Sequence, residues 1–291
     1  LETHDSSKVP FAPNVRRWEI GLNTGDGIPS TRKVMDGVPD IKLTDRRYFV
    51  DEQTDNVFLF DVLRVASVPT TVPGTDIKRP PGPASLHHAE RWKVEKGWIT
   101  EIEAIFFFEA GTMLAPSAQP MNGLSIGSNN FPYLPLRNGD PKSLKNPPLC
   151  TDDTRECMIQ TAKSYIDGIM TYDLSKVPVA SDWIRVEQGK VTGTGKGGTP
   201  LGPLPKSMNW IGSHDGTRYF VDEQSNDVII FTMYRSSGLT IPKYITQGEP
   251  VGPVPVSMHM AERFRVEKGL ITEIEEVFSF NKDMKATNWP Y

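Results

Sequence analysis

The chain has 291 residues, of which 37% are hydrophobic and 23% charged, with a formal net charge of −4 and a pI near 5.8. Such a composition builds cores rather than disorder, and it offers no electrostatic footprint for nucleic acid or an anionic membrane. No apolar run is long enough to span a bilayer, and the length fits two domains of roughly 100 to 150 residues.

From the N-terminus, residues 14 to 20 read as a strand. Residues 46 to 53 and 56 to 66 read as a hairpin across Thr54-Asp55, and 86 to 108 as a second hairpin turning at Glu95-Lys96-Gly97, where glycine permits positive φ. A proline- and glycine-rich loop at 72 to 83 separates the two hairpins. Residues 109 to 150 hold seven prolines and little periodicity, which marks an interdomain linker. Beyond it, a helix start signal at Asp153 with Glu156 three residues on leads into Met158, Ala162, Tyr165, Ile166 and Ile169 at helical spacing. Strands follow at 182 to 188, 217 to 224, 227 to 236 and 258 to 280, with a flexible glycine-rich loop at 191 to 205. That loop lacks the Gly-Lys-Ser/Thr ending of a phosphate loop.

The chain is written twice. AERWKVEKGWITEIEA at 89 to 104 returns as AERFRVEKGLITEIEE at 261 to 276, twelve of sixteen positions identical at an offset of 172. HDSSKVPFAPNVRRWEIG at 4 to 21 returns as YDLSKVPVASDWIRVEQG at 172 to 189, and RYFVDEQ at 47 to 53 returns at 218 to 224. The division is therefore a first repeat at 1 to 108, a linker at 109 to 150 and a second repeat at 151 to 291. The first repeat shows only a Leu1-Glu2 stub where the second has a helix, so a longer precursor is expected. Cys150 and Cys157 are the two cysteines; a local disulfide, a bond outside the sequence and free thiols all remain open, and two thiols alone do not make a zinc site.

An amphipathic helix, a short strand, a hairpin and a long hairpin ending in G-x-I-T-E-I-E resemble the nuclear transport factor 2-like, or SnoaL-like, fold. The resemblance is carried by AERWKVEKGWITEIEAIFFF, by RYFVDEQTDNVFLF, and by the helix from Arg155 with LSKVPVASDWIRVEQG. The pattern is similar to an uncharacterised fungal family, often bearing secretion signals, although Thr154-Arg155-Glu156-Cys157 departs from that family's Cys-Arg-Glu order. The resemblance implies an α+β, β-rich fold: two tandem cone-shaped curved antiparallel sheets wrapped around helices and paired sheet to sheet as an intrachain pseudo-dimer. Further homo-oligomers are left open, and so is the compartment, secreted or, alternatively, cytoplasmic.

Strand alternation places His88, Glu90, Trp92 and Val94 on one face, with Met260, Glu262, Phe264 and Val266 matching them. A carboxylate on an apolar face needs a partner or a proton. Phe58, Phe60, Val62 and Arg64, matched by Ile229, Phe231, Met233 and Arg235, read as a second inward face, so Glu90–Arg64 and Glu262–Arg235 are the expected ion pairs. His88 has Met260 as its counterpart, so one pocket alone gains an imidazole suited to acid–base work near neutral pH. His87 and His259 are expected at the surface or an interface. Asp51 and Asp222 are expected to cap turns. Trp92, Tyr48, Phe60, Phe264, Phe231 and Tyr165 are the candidate substrate-binding residues.

The fold hosts many chemistries. The expectation is a lyase, isomerase or cyclase, without metal or cofactor, acting on a hydrophobic polyketide or terpenoid intermediate by dehydration or pericyclic, Diels-Alderase-like ring closure. The alternative is a secreted protein that binds such a molecule without turnover. Among epoxide-hydrolysing members of the fold, an acid, an arginine and a further carboxylate activate water, which the expected Glu–Arg pairs would parallel.

Overall fold

The computed structural model describes residues 5–37, 41–65, 84–110, 140–204, 211–241 and 251–281. The loop at 72 to 83, the linker from 111 to 139 and the Leu1-Glu2 stub lie outside the described residues. In the first repeat, β1 (Phe11–Glu19), β2 (Leu22–Asp26), β3 (Ile41–Asp51), β4 (Asn56–Val65), β5 (Ala84–Glu95) and β6 (Trp98–Ala110) form one sheet in the order β2-β1-β6-β5-β4-β3, joined by a short helix α1 (Ile28–Asp36). The second repeat opens with α2 (Arg155–Met170) and repeats the sheet with β7 (Val179–Glu187), β8 (Lys190–Thr194), β9 (Ser213–Asp222), β10 (Asp227–Ile241), β11 (Val251–Glu267) and β12 (Leu270–Asn281) in the order β8-β7-β12-β11-β10-β9. The architecture is α+β and rich in strand, two tandem cupped sheets with helix against one face of each.

The sheets are mixed rather than purely antiparallel. β1 pairs parallel with β6, and β7 with β12. Almost the whole repeat separates the two strands, ample length for a parallel crossover. The main hairpin turns are as short as their glycines suggest: Lys96 and Gly97 sit at φ 52° and 81°, Lys268 and Gly269 at 50° and 71°, the doubly positive geometry that matches strand twist. Ile20-Gly21 and Gln188-Gly189 make the same turn. Those turns lead into β2 and β8, five-residue strands with one apolar side chain each (LNTGD and KVTGT) and so no alternation signal; β8 takes the first residues of the stretch at 191 to 205 expected as a flexible loop.

Two helical details differ from the sequence expectation. α1 is new; Pro29 stands in its first turn, and Thr31 and Met35 face inward. Gly25 lets β2 approach it, since a Cβ there would meet Thr31 Oγ1 at 2.8 Å. α2 is capped by Thr154, whose side chain accepts from the Cys157 N–H at 3.4 Å, one residue later than expected. Asp153 instead accepts the Lys268 backbone N–H at 2.6 Å. Cys150 and Cys157 form a disulfide beside this start. Residues 142 to 149 are bonded to the second repeat, with Leu144 N donating to Val179 O and Ser181 N to Lys142 O. No helix among the described residues is long and apolar enough to cross a membrane.

The two sheets pack face to face. Phe49, Phe58, Phe60, Ala89 and Ile105 of the first interleave with Phe220, Ile229, Phe231, Ala261 and Val277 of the second, each buried aromatic contributing about 1.5–3 kcal/mol. Around this patch the contacts are reciprocal, as in an isologous dimer. Arg218 reaches Glu103 at 2.6 Å while Arg47 grips Glu275. Val221 N donates to Asp51 at 3.0 Å while Val50 N donates to Asp222 at 2.9 Å, and Arg91 stacks over Phe220 as Arg263 stacks over Phe49. Asp51 and Asp222 cap their own turns, as expected, and also tie the repeats together.

Candidate functional site

Strand register decides which side chains meet. Glu90 lies opposite Leu59 on β4 and Ala104 on β6, and His88 lies opposite Asp61 and Phe106. These residues share the face turned away from the other repeat, as does Trp92, whose ring lies 6.4 Å from that of Tyr48. His88, Glu90 and Trp92 thus share one face of the sheet, as the alternation implies. Tyr48 stands at its rim, 53% exposed.

Glu90 is buried, and its partner comes from β1. Arg17 Nη1 donates to Glu90 Oε1 at 2.6 Å, and Arg17 Nε and Nη2 donate to Glu19 Oε1 at 3.2 and 2.9 Å. The reach is possible because Ala104, on the strand between, has almost no side chain. Burial by itself would depress the Arg17 pKa, but the two carboxylates raise it, so the cation is permanent. Beside it, His88 Nδ1 lies 3.0 Å from Asp61 Oδ1, both residues buried. Burial works against an imidazolium here, yet the hydrogen bond and charge of Asp61, aided by Glu90, raise the His88 pKa above its ordinary value. Among the described residues, Glu90 Oε2 and Asp61 Oδ2 are buried acceptors that receive no hydrogen bond.

The second cup is built differently. Met260 replaces His88, and Glu276 stands where Ala104 stands in the first repeat, directly opposite Glu262. Tyr165 of α2 donates to Glu276 Oε1 at 3.0 Å and accepts from Arg185 Nη1 at 3.2 Å. Burial, then the charge of Glu187, pushes Glu276 up to about 8. Burial, then Glu276, carries Glu262 well above the carboxylate range, so this pair retains a proton at neutral pH. α2 fills the cup: Met158, Ala162, Tyr165 and Ile166 pack against Val221, Ile230, Phe264 and Ile274 in one cluster. Tyr165 and Phe264 meet edge to face at 5.2 Å.

Several expected site residues lie elsewhere. Arg64 is opposite Ser85 and Arg235 opposite Ser257, each five positions along the strand from the partner of its expected glutamate, a distance of roughly 16 Å. Glu90 pairs with Arg17 instead, and Arg235 pairs with Asp215; the Arg64 side chain is outside the described residues. Phe60 lies opposite Ala89 and Phe231 opposite Ala261, on the face that joins the repeats. The alternation was right, but which of two apolar faces holds the glutamate depends on register. His87 is buried against the Gly189 turn of the other repeat, and His259 is fully buried, with desolvation and then Arg235 lowering its pKa to about 3. Arg17, Glu19 and Asp61, with Arg185, Glu187 and Glu276, were not singled out from sequence. The Arg-x-Glu kept at 17 to 19 and at 185 to 187 is the signal that marks four of them.

Solved structures with a similar course include AusH from Aspergillus nidulans, 12% identical, covering 46% of this chain and 87% of that one with a TM-score of 0.28. AclR from Streptomyces galilaeus is 17% identical, covering 33% of this chain and 71% of that one with a TM-score of 0.25. No curated protein matches the chain. A family model described as a domain of unknown function, DUF8021, matches residues 1–106 and again 151–278. With both repeats and most of its length so matched, the chain belongs to the DUF8021 family.

Proposed function

We propose that the cup of the first repeat is a proton-transfer site, making the protein a cofactor-free lyase, isomerase or cyclase for a hydrophobic polyketide or terpenoid intermediate. The observation that carries this reading is the buried Asp61–His88 pair set beside Glu90 and Arg17 on a face rimmed by Trp92 and Tyr48. With Nδ1 engaged by Asp61, the other ring nitrogen of His88 is left to take or return a proton. The free oxygens of Glu90 and Asp61 are acceptors for a substrate hydroxyl. Trp92 and Tyr48 orient an apolar skeleton, and orientation is most of what elimination followed by ring closure demands. The filled second cup has a structural role. The Cys150–Cys157 disulfide favours an oxidising compartment and hence secretion.

The test is an untargeted mass-spectrometric comparison of a polyketide and terpenoid extract incubated with the wild type or with His88→Ala. A product formed by the wild type and lost in the variant supports the proposal; equal turnover by both removes His88 from the chemistry. One observation favours the alternative of binding without turnover: Glu90 is already clamped by Arg17. Compounds retained by the protein but never transformed would select that reading.

A further inference from the structure

Matched positions of the two repeats differ sharply in exposure at one end of the cup. Val50 is 42% exposed and Trp98 52%, whereas their counterparts Val221 and Leu270 are 1% and 2% exposed. In the second repeat, α2 and the strap before it provide the cover. Leu149 N donates to Gly269 O, Cys150 lies against Gly269, and Asp153 holds the Lys268 N–H. Around Gly97, the counterpart of Gly269, a Cβ would meet nothing within 4 Å. A cavity of about 450 Å³ opens there between Ala12, Pro13, Lys96, Trp98 and Thr100.

The electrostatics show the same asymmetry. Asp51 accepts the Gln53, Thr54 and Val221 N–H groups and then takes Arg155, from the first turn of α2, through both guanidinium nitrogens at 3.0 and 2.6 Å. Asp222 accepts the equivalent three N–H groups, from Gln224, Ser225 and Val50, with the same division between its oxygens. Among the described residues no arginine completes it.

We propose that the first repeat docks an amphipathic helix of the α2 kind across Tyr48, Val50 and Trp98, with an arginine in the first turn of that helix seated on Asp222. The occupant follows from charge complementarity at Asp222 and from the second repeat, where the same face carries such a helix. Pro13 stands where Ser181 stands and has no N–H to give, so a strap before this helix gains fewer backbone bonds than residues 142 to 149 do. A helix so seated would occupy the His88 cup as α2 occupies the second, so helix and cup ligand would exclude one another, and the inference does not depend on any activity there.

The experiment titrates a synthetic peptide of residues 150 to 171, with its disulfide closed, into the whole protein and follows tryptophan fluorescence. One-to-one binding on the order of micromolar is expected. Asp222→Asn in the protein, or Arg155→Met in the peptide, should each weaken it at least about tenfold, the scale of a buried charge-assisted pair. Absence of binding overturns the proposal. So does binding that depends on Asp51 instead of Asp222, because the peptide would then be exchanging with α2. A concentration-dependent dimer in sedimentation that the peptide does not disperse would overturn it in favour of a second copy of the chain.

Discussion

Arg17 and Glu90 form a buried ion pair, Nη1 to Oε1 at 2.6 Å, across a strand that lies between their own. β6 separates β1 from β5, and the guanidinium passes over it at Ala104. In the second repeat Glu276 fills that place, so Arg185 meets Tyr165 and Glu262 is left facing another carboxyl group. One alanine-to-glutamate difference thus separates a charged cup from one whose acids keep a proton.

Removing one partner of the first pair strands the other. Arg17→Met should cost about 3–5 kcal/mol in urea denaturation, while Arg17→Met combined with Glu90→Leu should recover most of that loss. If the single and double variants are equally unstable, the pair is not what holds β1 against the sheet.

The acid pair of the second cup sets a pH dependence of opposite sense to the usual carboxylate. Glu276 at about 8 and Glu262 well above its ordinary value bind protons in the folded chain that the unfolded chain has released above pH 4.5. Stability from this site is therefore complete below pH 4.5 and is lost as pH rises towards about 8. Glu276→Gln should flatten that decline in thermal melts from pH 5 to 8; an unchanged slope would assign it to other groups.

His88 is raised by Asp61, so its contribution to stability is complete below about pH 6.5 and is lost as pH rises through the native value. An NMR titration of the His88 ring should give a pKa above 6.5. Asp61→Asn should bring that value down, because burial then acts on the imidazolium with less to oppose it.

Phe60 and Phe231 separate an interface from a pocket. Each is buried to 1% or less in the sheet-to-sheet contact. Alanine at either should cost about 3–5 kcal/mol in denaturation while leaving the affinity of any cup ligand within about twofold. Trp92→Ala should do the reverse, lowering affinity with a smaller loss of stability, since Trp92 is only half buried.

Much of the fold was legible in residues 89 to 104 and their copy. Alternation gave the strands, Lys-Gly gave the turn, identity between the copies gave the duplication, and the family resemblance implied that the two sheets pair. The inward placement of Glu90, His88 and Trp92 followed as well, because a two-residue period needs no knowledge of neighbours. α1 escaped notice because its nine residues begin at a glycine rather than a side-chain cap and hold few apolar groups. β2 and β8 escaped because five residues with a single apolar side chain show no period.

The sequence by itself determined that the chain is a duplication, where its main hairpins turn, and that each repeat places a glutamate on an apolar face, since all three depend on local pattern. Only the tertiary structure decided which apolar face joins the repeats and which cation answers Glu90. Both depend on how strands far apart in the chain are set side by side: Arg17 and Glu90 are 73 residues apart, and no local period records a parallel neighbour or the small side chain that lets one residue reach across it.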